Sequence, residues 1–241
     1  MNGFRQKLIT GAQTAGLSLD ETLTKALALH WQRLLEANTR FNLTAITNED
    51  AATDKHYLDC LLAGEAIAPL INAGDTVADI GSGGGFPGLI LAAARPELYV
   101  TLIESSRKKA EFLEECAAAL GIVDLAVFSC RAEDAGRRPD LRGSFSAVTA
   151  RAVSELSVLA EYALPLLAPN GVFFAMKGPC PREETEKAAG ALDLLGGVVE
   201  ETRYYTLPFS REKRSVVILR KTAPTPDKYP RRPGTPVKRP L

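Results

Sequence analysis

The sequence predicts an α/β protein with a seven-stranded, mostly parallel sheet and an N-terminal helical cap. Three observations carry that reading. From Thr76 onward, apolar runs of about five residues alternate with helical patterns, as in a parallel sheet covered on both faces. A glycine burst, Gly81-Ser82-Gly83-Gly84-Gly85, stands between the first run and an apolar helix. Helical periodicity, and no strand pattern, fills the chain before Thr76.

Three segments follow, namely a cap over 1–70, a sheet domain over 71–222 and a basic, proline-rich tail over 223–241. In the cap, Leu19, Leu23, Leu27, His30, Trp31, Leu34 and Leu35 recur at helical steps, which makes an amphipathic stripe. Asp20 and Glu21 suit the positive end of that helix. The polar stretch 38–44 reads as a structured loop in which Asn42 and Thr44 either cap the turn or line a cleft entrance. Asn48 suits the cap of a short helix. His56 and Asp59 lie three apart on the next helical face, a spacing that permits a hydrogen-bonded pair.

In the sheet domain, Thr76–Ile80 reads as the first strand and 89–94 as the first crossover helix, closed by Arg95-Pro96. Strands two and three are expected at 99–103 and 124–129, with a helix over 107–120 between them that Gly121 ends. Strand four is expected at 145–150, a helix at 153–167 and strand five at 172–176. A polar helix at 181–195 precedes an antiparallel pair, 198–207 and 214–220. Beyond Pro224 the tail carries Pro226, Pro230, Pro233, Pro236 and Pro240, and is expected to be an extended or disordered arm.

Composition bounds the function. The chain is 46% apolar and 24% charged with zero formal net charge, so no global field points to nucleic acid. The balance is uneven, because six Lys/Arg against one Asp give residues 221–241 a net charge of +5. No signal-peptide pattern or 18-residue apolar run occurs, so a cytoplasmic, non-membrane protein is expected. Cys60, Cys116, Cys130 and Cys180 are far apart, which predicts neither a disulfide framework nor a metal site. A monomer is the default.

A strand, a glycine turn and a helix N-terminus offer bare backbone N–H groups to a nucleotide-like ligand. Glu104, at the end of the second strand, is placed to hold both ribose hydroxyls. Gly83, Gly85 and Gly88 match the dinucleotide spacing, so an NAD-dependent oxidoreductase is one reading. That frame starts late, however, because the strand ends at Ile80. In the natural frame the motif is Asp79-x-Gly81-x-Gly83, with Phe86 where a third glycine would stand. An acid inside the strand followed by G-x-G resembles the first motif of the S-adenosylmethionine-dependent methyltransferases, whose class I members have a Rossmann-like fold. The sulfonium and amino groups of that cofactor are cationic, so the carboxylate of Asp79 suits it. Seven strands ending in a hairpin also suit that fold, and no Tyr-x-x-x-Lys pair supports a hydride site. A non-catalytic RNA-binding module would need neither the acids nor the glycine turn.

Ligands of open α/β sheets sit beyond the C-terminal strand ends. Ala132 and Glu133 follow strand three, where a methyltransferase uses a backbone N–H and an acid near adenine; a helix N-terminal acid is the plainer reading of Glu133. After strand four, enzymes acting on exocyclic amines carry an Asn/Asp-Pro-Pro-aromatic motif and pyrimidine C5 enzymes a Pro-Cys nucleophile. Here Ala150-Arg151-Ala152 offers neither, and Pro179-Cys180 follows strand five, where it reads as incidental. The acceptor then needs no base and no nucleophile. Guanine N7 is such an atom, and catalysis reduces to positioning. Arg151 and Lys177 are candidates to orient a base or a phosphate; surface ion pairs are the alternative. Arg107, Lys108, Lys109, Arg137, Arg138, Arg142, Arg211, Lys213, Arg214, Arg231, Arg232, Lys238 and Arg239 are candidate phosphate contacts that together weakly favour RNA.

In this order the chain carries Phe41-Asn42-Leu43-Thr44, His56-x-x-Asp59, the run from Asp79 to Gly88, Arg95-Pro96, Arg131-Ala132-Glu133, Ala150-Arg151-Ala152, Met176-Lys177-Gly178 and Tyr229-Pro230-Arg231-Arg232-Pro233-Gly234-Thr235-Pro236. From about residue 20 onward it resembles the bacterial small-subunit rRNA methyltransferase G family, also called glucose-inhibited division protein B. The resemblance implies methyl transfer from S-adenosylmethionine to N7 of one guanine in 16S rRNA, on the small ribosomal subunit or an assembly intermediate. It also implies that Gly81, Phe86, Ala132, Glu133 and Arg151 contact the cofactor. Another RNA or a small molecule is the alternative substrate. Cys180 with its flanking prolines departs from the family pattern, as does Glu104 where some relatives have Asp.

Overall fold

In the computed structural model the described residues are 2–151 and 153–241. Met1, the first residue of the cap, and Ala152, the last of Ala150-Arg151-Ala152, lie outside them. Before the first strand come α1 (Asn2–Thr14), α2 (Glu21–Asn38), α3 (Glu49–Ala52), a π-helical turn (Thr53–Leu58) and α4 (Asp59–Ile67). The α2 stripe forms because Asp20 caps it, its Oδ1 accepting the Leu23 N–H at 2.7 Å, and because Leu27, Trp31 and Leu34 are buried. Asn48 likewise caps α3 through the Ala51 N–H.

The strands are β1 (Thr76–Ile80), β2 (Tyr99–Glu104), β3 (Leu125–Ser129), β4 (Phe145–Arg151), β5 (Leu167–Lys177), β6 (Gly197–Thr206) and β7 (Lys213–Lys221). Helices α5 (Gly88–Ala94), α6 (Arg107–Leu120), α7 (Ala132–Ala135), α8 (Leu156–Ala163), α9 (Arg182–Leu195) and α10 (Thr235–Lys238) complete the order. Among the described residues the sheet runs β3-β2-β1-β4-β5-β7-β6, parallel except for β7, which pairs antiparallel with β5 and β6. The reversed strand inserted beside β5 is the methyltransferase arrangement; a dinucleotide fold has a sixth parallel strand instead. Alternation along the strands supplies two cores. Val77, Leu102, Phe174 and Ile218 face α1, α2 and α5, whereas Ala78, Ile103, Phe173 and Leu219 face α8 and α9.

Three local expectations change. The helix after β4 is only Leu156–Ala163, and β5 starts earlier, at Leu167, with an irregular register at its start. The tail is not an extended or disordered arm. It folds back along α7 and α8, with Tyr229 buried and Arg231 paired to Glu161 at 2.6 Å.

Candidate active site

At the C-terminal edge of the sheet the loop after β1 turns through three glycines of positive φ, namely Gly81 at 71°, Gly83 at 54° and Gly85 at 96°. Only glycine takes such backbone at no steric cost. The cap holds this loop from beneath. The His30 Nε2–H donates to the Gly84 carbonyl at 2.9 Å, while Nδ1 accepts from the Tyr57 hydroxyl at 2.7 Å. Burial pushes the His30 imidazole down to about 4, so it stays neutral in this role.

Asp79 and Glu104 occupy the expected positions but turn into the protein. Asp79 is fully buried; its Oδ1 accepts from the Thr149 hydroxyl at 2.8 Å and its Oδ2 from the Gly88 N–H at 3.2 Å. Burial raises its carboxyl to about 6. With no exposed surface it cannot touch the cationic groups of a ligand, which corrects the direct contact expected from sequence. Glu104 accepts the Gly83 N–H at 2.9 Å and the Ser106 N–H at 2.7 Å, one on each oxygen, and so staples the loop after β1 to the loop after β2. Gly83 contributes that N–H and a turn.

Beyond β1–β3 opens a cavity of about 190 Å³. Gly81, Ala132 and Glu133 line it, with Ile80, Ile103, Ser105, Val153, Tyr162 and Val237. A Cβ on Gly81 would meet Val153 Cγ2 at 2.7 Å, so the bare glycine keeps the mouth open. Glu133 is buried, and its Oε1 accepts the Gly234 N–H at 2.8 Å and the Tyr162 hydroxyl at 3.4 Å.

Beyond β4 and β5 lies a second cavity of about 400 Å³, lined by Lys55, His56, Asp59, Arg151, Lys177, Tyr205 and Arg214 among others. Arg151 organises it. Its Nη1 donates to Asp59 Oδ2 and to the Lys55 carbonyl, each at 3.1 Å, and its Nη2 lies 3.3 Å from His56 Nδ1. The guanidinium lies over the Phe86 ring, 5.0 Å from the centroid, and His56 stacks on the same ring at 4.6 Å. His56 and Asp59 therefore do not pair directly, because the helix locally becomes a π-turn and Arg151 reaches between them. Burial, then the Arg151 charge, press the His56 imidazole down to about 4. Its Nε2 lies 2.8 Å from the Thr44 hydroxyl, while Asn42 is exposed. Lys177 Nζ donates to the Ser154 carbonyl at 2.8 Å and to Glu184 Oε1 at 2.5 Å. Ser154 lines the first cavity, so Lys177 joins the two.

Arg151, Lys177, His56 and Asp59 thus meet at one cavity and Gly81, Ala132 and Glu133 at its neighbour. Asp79, Gly83, Phe86 and Glu104 lie behind the walls. Of the candidate phosphate contacts, Arg214 faces the cationic cavity, but Arg142 serves the carbonyls of Gly136, Thr225 and Tyr229, and Arg231 serves Glu161. Sequence reasoning missed Tyr162, Tyr205 and Val237, which arrive from distant segments with no local signal.

The sequence model of the family described as rRNA small subunit methyltransferase G, GidB, matches residues 23–215. The chain belongs to that family. A relative named ribosomal RNA small subunit methyltransferase G from Pelotomaculum thermopropionicum is 43% identical over 100% of both chains. The protein of the same name from Symbiobacterium thermophilum is 44% identical over 99% of this chain and 98% of its own. Among solved structures, the [4+2]-cyclase SpnF superposes with a TM-score of 0.56 at 15% identity, over 84% of this chain and 96% of that one. Pyrococcus horikoshii TYW2 in complex with MeSAdo superposes with a TM-score of 0.54 at 17% identity, over 71% and 66% of the two chains. These two likenesses concern the fold. The residues on which the family resemblance rests include Arg151, Lys177 and the Asp79–Gly88 run, which the fold gathers at one sheet edge.

Proposed function

We propose that this chain transfers a methyl group from S-adenosylmethionine to N7 of a specific guanine in 16S rRNA, acting in the cytoplasm as a monomer on the small ribosomal subunit or an assembly intermediate. The observation that carries this reading is the pair of neighbouring cavities, a smaller one at the glycine loop with Ile80, Ile103 and Val153 among its walls, and a larger one at Arg151 and Lys177, bridged by the Lys177–Ser154 hydrogen bond. The cofactor supplies an electrophilic methyl on a sulfonium. The narrow cavity fits its nucleoside end, with Gly81 open to close approach, Ile80, Ile103 and Val153 among its walls, and Glu133 keeping one carboxylate oxygen uncommitted among the described residues. Ala132 adds the first N–H of α7, which has no helical acceptor. Glu104, behind the wall, acts by holding the Gly83 and Ser106 N–H groups. Asp79, Gly83 and Phe86 act by shaping the loop.

The larger cavity gathers Lys55, Arg151, Lys177 and Arg214, which are paired among the described residues with Asp59, Glu184 and Glu212, so that four cations face three carboxylates and the surplus positive charge suits an RNA phosphate beside a purine. It holds no group ready to act as a strong base. His56 is neutral with both ring nitrogens engaged, and both Asp59 oxygens accept hydrogen bonds, from Arg151 and from Tyr205 at 2.8 Å. Guanine N7 loses no proton on attack, so a site that only positions the base is sufficient. Arg151 and Lys177 are the catalytic candidates for that positioning.

The test uses small subunits and free 16S rRNA from cells lacking this gene, with methyl-labelled S-adenosylmethionine. Borohydride and aniline then cleave the product at N7-methylguanine. A single cleavage site in 16S rRNA is expected. Label without cleavage would overturn N7, and absence of label with intact cofactor binding would overturn the RNA substrate.

A further inference from the structure

We infer that the C-terminal segment is a structural part of the cofactor cavity, and that Val237 is a cofactor-positioning residue. The inference rests on the cofactor reading of the narrow cavity. Three clasps lay the segment against the sheet domain. Arg142 donates to the carbonyls of Thr225 at 2.9 Å and Tyr229 at 2.8 Å. Arg231 forks onto Glu161, with Nε at 2.9 Å and Nη2 at 2.6 Å, and Glu161 is fully buried. A buried carboxylate of this kind requires its cation, so the fold itself demands a docked tail. The third clasp reaches the cavity, because the Gly234 N–H binds the Glu133 carboxylate at 2.8 Å.

Gly234 takes a φ of +78° and turns the chain into α10, whose Pro236 is buried. One residue later Val237 lines the cavity wall while remaining 59% exposed. A valine that open, at the mouth of a cleft whose walls include Ile80, Ile103 and Val153, is the surface that a nucleoside would cover. Glu133 is shared, since one carboxylate faces the ligand space and receives the tail. Ligand binding and tail docking therefore act on the same groups, and any coupling between them is reciprocal.

The experiment is isothermal titration of S-adenosylhomocysteine into four chains, namely the full chain, a chain ending at Arg232, Val237→Asp and Val237→Ile. Ending at Arg232 keeps the Arg142 and Arg231 clasps, so the fold stays supported, and a thermal melt of each chain without ligand checks this. The shortened chain and Val237→Asp are expected to bind about tenfold more weakly or worse, a loss of about 1.4 kcal/mol. Val237→Ile, which keeps the apolar wall, is expected to bind as the full chain does. The inference is overturned if Val237→Asp binds within about twofold of the full chain, whatever the shortened chain does, since the wall contact belongs to Val237. If the full chain itself fails to bind, the cofactor reading falls and this inference with it.

Discussion

Replacing Arg151 with Met keeps an apolar stem of similar length and removes the charge. The Arg151 side chain is 15% exposed and that of Asp59 only 6%, so their ion pair at 3.1 Å is shielded from water. Without it, Asp59 keeps the Tyr205 hydroxyl and a distant Arg214 at 3.8 Å. Removing one partner of a buried pair costs about 3–5 kcal/mol, because the other charge is left desolvated. At about 2–4 °C per kcal/mol for a chain of this size, Tm should fall by about 6–20 °C. The double variant Arg151→Met/Asp59→Asn removes both charges and should recover about 1–3 kcal/mol relative to Arg151→Met. The deficit should also depend on pH. Burial holds the Asp59 carboxyl above its ordinary value, and Arg151 is the largest opposing influence. Losing Arg151 raises the folded pKa further. A carboxyl raised in the folded state carries no penalty while both states are protonated, and a growing one as pH rises toward the folded pKa. Thermal and urea melts followed by circular dichroism at pH 5 and pH 8 should therefore show the larger loss at pH 8. A loss under about 1 kcal/mol at both values, or a double variant no better than the single one, would refute the buried-pair argument.

Gly88→Ala tests the contact between α5 and the sheet, since a Cβ there would meet Asp79 Cβ and Leu102 Cδ2, each at 2.5 Å. Overpacking costs about 1–3 kcal/mol, a Tm loss of about 2–12 °C, whereas Gly64→Ala, with nothing within 4 Å, should not destabilise. Asp79→Asn should gain stability relative to the parent between pH 4 and pH 7. The parent carboxyl, raised to about 6 by burial, loses up to about 3 kcal/mol as it ionises, and the amide does not. Urea melts at the two pH values that show no change in the difference would sink that account. Cys180→Ser should leave methyl transfer within about twofold, because Cys180 is exposed and lines neither joined cavity. A dead Cys180→Ser enzyme with intact cofactor binding would point instead to covalent carbon methylation.

How much the sequence discloses depends on how local the cause is. Strand β1 was legible to the residue because an apolar run ends abruptly at glycine, and α6 because Gly121 ends it at a φ of +69°. The direct His56–Asp59 pair that i, i+3 spacing permits does not form, because that spacing presumes a regular α-helix, whereas a π-turn and an arginine from β4 decide the outcome. The tail was illegible for a similar reason. Its proline content argues against secondary structure, but its order comes from Glu161, 70 residues away, and Arg142, more than 80 residues away. Pairings at that separation leave no periodicity to read.

The acids of the site show where residue type stops being informative. Asp79 and Glu104 were expected to meet the ligand, because a cationic sulfonium and ribose hydroxyls both attract carboxylates. In the fold their oxygens accept backbone N–H groups of Gly88, Gly83 and Ser106, and Glu133 accepts that of Gly234. A loop turning through three positive-φ glycines has little side-chain packing to hold its shape, so fixed acceptors beneath it must do so. Ligand contact and loop support thus call for the same residue at the same place, and motif spacing alone cannot separate them. Burial does separate them. A carboxylate with no exposed surface can act on a ligand only through the backbone it holds, so substitutions at Asp79 should alter loop stability and cofactor affinity together, whereas substitutions at Val237 should alter affinity alone.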